Sequence, residues 1–217
     1  MTTPTLRLPT RTAVRAAGLV DVPAVVRLFA PPPVPSGPSV AAADGAAVDW
    51  EQAQRAMRLM LAHHALEDGQ VWVAEGTDGA LVAAGIWMPP GIGAGTKPPD
   101  AHWRSLLSRE LDVCPPEHPV LSTALQAAGP DGPHWTLVTV TAPDRPEVQD
   151  PRVVAELLAP GLRAVDAGHT TAVAIALSAH HADLLLPHGF SRPHEVRVVP
   201  GASVWLTTRR PRGAAAA

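Results

Sequence analysis

The chain has 217 residues, 46% of them hydrophobic and 17% charged, and a formal net charge of −3. That balance excludes a disordered segment and a strongly basic nucleic-acid binder. The single cysteine, Cys114, excludes an internal disulfide and a thiolate metal cluster.

Residues 1–11 carry prolines at positions 4 and 9 and are expected to be a flexible N-terminus, followed by one domain over 12–208. Residues 12–16 predict a first strand. Asp21 before Val22-Pro23 reads as the N-cap of a first helix, with Val25, Val26, Leu28 and Phe29 as its apolar face. The proline-rich stretch 30–39 cannot continue it. Met57, Leu59, Met60, Leu61 and Leu66 predict a second helix over 49–66, ended by Gly69. The apolar stretches 70–76 and 80–88 flank a Thr77-Asp78-Gly79 turn and predict a hairpin. A glycine-rich loop, 91–100, follows. It lacks the Gly-Lys-Ser/Thr of a nucleotide-phosphate loop, so a substrate loop is the expectation. Helices are expected over 102–111 and 120–128.

The stretch 134–190 is the most informative. Residues 135–141 predict a strand, 151–167 an amphipathic helix, 170–177 a strand and 179–186 a short helix before Gly189-Phe190. This is a βαβ unit whose first loop opens a helix N-terminus, where anions are favoured. A closing hairpin over 195–199 and 203–208 precedes a low-complexity tail, 209–217, that contains Arg209, Arg210 and Arg212. No apolar run approaches the ~20 residues that span a bilayer. Residues 1–15 lack the apolar core of a secretory signal. A cytoplasmic protein with no membrane or nucleic-acid partner is expected, and a homodimer is compatible with the sequence.

DVPAVVRLF near the start, VWVAEG and LVAAGIWMPPG in the middle, HWTLVTV, LLAPGLRAVDAG and LLLPHGF stand in an order that resembles the GNAT N-acetyltransferases of a common actinobacterial type. The resemblance spans most of the chain. It implies an α/β (α+β) fold, with a mixed sheet of about seven strands flanked by helices and a splayed central strand pair. It also implies an acyl-CoA-dependent N-acyltransferase acting on a small-molecule amine. The acyl-pantetheine arm would lie along Val138, Val140 and Thr141, with a backbone N–H near Val140 polarising the thioester. The pyrophosphate would meet Gln149, Arg152, Val153 and Val154. Where the family has Gln/Arg-x-x-Gly-x-Gly/Ala, this chain has Gln149-Asp150-Pro151-Arg152-Val153-Val154. Arg152 and Val154 stand at the glycine positions, Pro151 has no N–H, and Asp150 puts a carboxylate beside phosphate. The family's Asn and proton-donating Tyr positions fall on His181 and Leu185, and the chain has no tyrosine. The alternative is therefore a GNAT-fold protein that has lost CoA and either catalyses another reaction in the vacated cleft or only binds a ligand or partner.

His134, at the start of the central strand, and Glu75, at the end of a neighbouring one, are candidate bases for the amine, against a packing corner and a solvated strand end. His181 is a candidate ligand or proton shuttle, against an exposed helix start. Trp87, Met88 and Trp103 are candidate pocket walls, against core and rim packing. No metal site is expected: the adjacent pairs His63-His64 and His180-His181 do not share a helix face.

Overall fold

A computed structural model describes residues 11–29, 50–90, 129–142, 145–199 and 202–212. The glycine-rich loop 91–100, the two helices expected between 102 and 128, and with them Trp103 and Cys114, lie outside the described residues.

Strands β1 (Ala13–Ala16), β2 (Gln70–Glu75), β3 (Leu81–Met88), β4 (His134–Thr141), β5 (Thr171–Ala176), β6 (His194–Val199) and β7 (Ala202–Arg209) form one sheet in the order β1-β2-β3-β4-β5-β7-β6. Every pairing is antiparallel except β4 with β5. A parallel pair needs a crossover. Here it is α3 (Pro151–Ala167), whose buried Val153, Leu157, Leu158, Gly161 and Val165 make one helical stripe. Strand alternation then sorts β4 between the two faces of the sheet. Val138 and Val140 face the helices α1 (Val22–Leu28) and α2 (Trp50–Met60), with Val25, Val26 and Ile86. Leu137 faces α3, with Leu158 and Val165.

Two glycines make close approaches. A Cβ on Gly161 would lie 2.1 Å from Trp87 Cε2, so the bare backbone of α3 is the notch that admits the indole. Gly189 has φ +87°, the left-handed conformation the Gly-Phe turn requires, and this turn seats Phe190 in the core.

Three local expectations change. Asp21 does not cap α1 with its side chain. Its carboxylate accepts from Gly18 N–H at 2.8 Å and from both terminal nitrogens of Arg15 at 2.7 and 2.8 Å. A two-pronged charge-assisted pair outweighs one neutral cap bond. The second helix does not run uniformly to its end: it closes with a π-helical turn, Leu61–Ala65. Arg209 is the last residue of β7 and not the first of a free tail. Its guanidinium is 2% exposed and donates two bonds of 2.8 Å to Asp166 on α3.

Candidate functional site

β4 and β5 run parallel and are in register from His134↔Thr171 to Thr139↔Ala176. There β5 ends, while β4 continues to Thr141. The opening between the pair is confined to this carboxyl end, the edge of an α/β sheet where ligands characteristically sit. It is a crevice of about 30 Å³ under the first turns of α3, closed on the far side by the short helix α4 (Ala179–Asp183). That volume holds a water molecule or a very small group. Its walls are mostly apolar: Val148, Val153, Val154, Leu157 and Leu185.

Three polar side chains enter it. Thr139 and Thr141 do so because alternate residues of a strand share a face. His181 does so because Ser178 caps α4: the Ser178 hydroxyl accepts from His181 N–H at 3.2 Å and fixes the start of the helix. His181 Nε2 and Thr141 Oγ1 are 2.7 Å apart. Burial, and then the neighbouring charge of His180, hold the His181 imidazole below its ordinary 6.5, so the ring is neutral at physiological pH. A neutral imidazole beside a hydroxyl can accept its proton. Thr139 Oγ1 is buried in the same crevice and has no hydrogen-bond partner.

The helix end above the crevice is occupied by the protein itself. Asp150 Oδ1 accepts from Arg152 N–H at 2.9 Å, and Asp150 C=O accepts from Val154 N–H at 3.2 Å. Pro151 has no N–H to offer. The Asp150 carboxylate lies where an anion would bind, and Arg152 and Gln149 are exposed. This helix end does not fit a diphosphate. Its first turn is complementary to an anion, and the chain supplies that anion covalently.

Of the residues singled out by sequence, Thr141, His181, Val153 and Val154 come together here. Val138 and Val140 lie on β4 beside the opening, but their side chains pack on the opposite face. Only their backbone can serve the crevice. His134 does not join the site. It starts β4, its Nδ1 is 2.7 Å from Gly132 C=O, and seven residues at ~3.3 Å rise put it about 23 Å from Thr141. Glu75 is at the right end of the sheet, but Arg15 Nε donates to its Oε2 at 3.1 Å. Trp87 is a core residue, fully buried in the Gly161 notch, and is not among the residues that line this crevice. Met88 ends β3 opposite Thr136, away from the crevice. Thr139 and Ser178 were missed. Both had a signal: Thr139 shares the strand parity of Thr141, and Ser178 stands directly before a short helix.

Among the described residues, no group of three or more His, Cys, Asp or Glu could hold a metal ion. None of the described helices is long and apolar enough to cross a membrane. The sequence matches no protein-family model and no curated protein. Solved structures do match. A histone acetyltransferase HPA2 and related acetyltransferase from Corynebacterium glutamicum aligns with a TM-score of 0.56 at 16% identity, over 95% of this chain and 100% of that one. The protein has the GNAT fold. A second match is the C-terminal condensation domain of Ebony in complex with β-alanyl-dopamine, with a TM-score of 0.53 at 8% identity over 92% and 99% of the two chains. A mosquito arylalkylamine N-acetyltransferase like 5b aligns with a TM-score of 0.50 at 13% identity over 92% and 99%. Within the GNAT fold the observed sheet and crossover helix are the expected ones.

Proposed function

We propose that this protein is an N-acyltransferase of small-molecule amines whose thioester donor is not anchored by a diphosphate at α3. The observation that carries the reading is the crevice at the carboxyl ends of β4 and β5, with a neutral His181 inside it. The neighbours named for acetyl transfer, and the one bound to β-alanyl-dopamine, support transfer of an acyl group to an amine. His181 takes the proton that the amine loses on attack. Val140 stands where β4 has outrun β5, so its backbone is placed to meet the acyl carbonyl. The small volume and apolar walls favour a short acyl chain.

The test compares acetyl-CoA with the acetyl thioester of N-acetylcysteamine, which keeps the reactive group and lacks every phosphate, over a panel of primary amines. Amide product is expected from both, at similar kcat/KM. A diphosphate grip would instead make acetyl-CoA far superior. It would also raise the melting temperature, since ligand at 100 times its Kd stabilises by about 2.7 kcal/mol.

A second reading has two observations in its favour. The Asp150 cap and the small crevice also suit a GNAT-fold protein that no longer transfers acyl groups and only binds a small ligand or catalyses another step. Absence of amide from either donor selects it.

A further inference from the structure

We propose that Thr141 is a nucleophile, activated by His181, that carries the acyl group as a covalent ester between donor and amine. The inference rests on the acyltransferase reading above. It starts from two independent observations in the crevice.

The first is the pair itself. Thr141 Oγ1, at the last residue of β4, lies 2.7 Å from Nε2 of His181, whose helix α4 is capped by Ser178. A hydroxyl within hydrogen-bond reach of an imidazole is the arrangement that nucleophilic catalysis requires. Burial keeps that imidazole uncharged and able to accept. The second observation is Thr139. It is 7% exposed, it lies two residues earlier on the same face of β4, and its buried Oγ1 has no partner. A hydroxyl left without a bond costs stability unless something fills its need. An acyl oxygen in the crevice would accept its hydrogen bond. Thr141, His181 and Thr139 thus supply nucleophile, base and a donor to the oxygen in one apolar cleft.

The self-capped helix explains why a covalent step would be useful. A direct transfer must hold donor and amine together, and α3 offers no grip for the donor's diphosphate. A covalent ester separates the two visits. In the first half, Thr141 Oγ1 attacks the carbonyl carbon of an acyl thioester. The C–O bond forms and the C–S bond breaks. The hydroxyl proton passes to His181 Nε2 and on to the departing thiolate, which leaves as thiol. In the second half, the amine nitrogen attacks the ester carbonyl. The C–N bond forms and the C–O bond breaks. His181 takes the amine proton and returns it to Thr141, giving amide and free enzyme.

The experiment is intact-mass analysis of the whole protein after incubation with the acetyl thioester of N-acetylcysteamine, with no amine present, followed by peptide mapping. The expected result is one added acetyl group, on Thr141, discharged when amine is added. Thr141→Val should give no adduct, Thr141→Ser should keep it, and His181→Asn should slow its formation by about 10²–10⁴-fold. Circular dichroism of each variant verifies that the fold is intact, and the Thr141→Ser rescue separates chemistry from packing. Amide formation with an unmodified Thr141 would overturn the covalent step and leave the acyltransferase reading standing. An adduct that persists in Thr141→Val would also overturn it. No adduct and no amide from either thioester would remove both.

Discussion

Gly161 and Trp87 fit each other so closely that one methyl group would not be accommodated. The three atoms nearest a Cβ at Gly161 all belong to the indole, at 2.1–2.5 Å. Alanine is worth about 1 kcal/mol more than glycine inside a helix. Overpacking of this severity costs about 1–3 kcal/mol or more, so Gly161→Ala should lower the urea midpoint. Trp87→Leu in that background should recover part of the loss, which a double-mutant cycle would report as coupling. Arg209 and Asp166 offer an asymmetric comparison. The Arg209 side chain is 2% exposed and that of Asp166 is 29% exposed. Asp166→Ala strands a buried cation, a loss of about 3–5 kcal/mol. Arg209→Ala leaves a carboxylate that water can reach. Chemical denaturation should rank Asp166→Ala as the more damaging of the two.

At the scale of elements, α3 shows how much of the fold is local. Its bounds were readable because Asp150-Pro151 starts a helix and Gly168 follows its last residue, with an apolar stripe between. The sequence also placed Asp150 at the start of this helix. It did not show that the carboxylate caps the helix, which needs the backbone turn. Asp150→Ala should therefore cost about 1 kcal/mol, seen as a drop of ~2–4 °C in Tm for a chain of this size. Asp150→Asn, an equal cap, should be close to neutral. If both melt as the parent does, the cap contributes nothing. α1 is the opposite case. Asp21 carries an N-cap signal in the sequence, yet Arg15, across a turn and at the edge of the sheet, claims its side chain. Propensity proposes such caps, and a stronger charged partner overrides them.

For the whole molecule, two buried histidines and two paired aspartates among the described residues contribute to the acid response in two steps. His181 and His188 both sit below 6.5: His181 by burial and then His180, His188 by burial and then Arg209 and Arg212. The unfolded chain binds more protons than the folded one in that window, so stability is full above it and falls as pH drops through 6.5. Asp21 and Asp166 are held below 3.8, first by hydrogen bonds from Arg15 and Arg209 respectively. Their contribution is present above 3.8 and is lost as pH falls through the folded values. Tm followed downward from neutral pH should show an early decline and a later one. The His181→Asn, His188→Asn double variant should remove the first and keep the second.

The sequence by itself determined the order of elements, the βαβ unit and the extent of α3. These depend on periodicity, caps and prolines, which act over a few residues. Only the tertiary structure decided which candidates meet. It brought Thr141 to His181 across 40 residues of chain, kept His134 at the far end of the same strand, and pressed Trp87 into the core. Such choices follow from strand register and from which face of the sheet each helix covers. They are set by contacts between distant segments, and no local pattern encodes them.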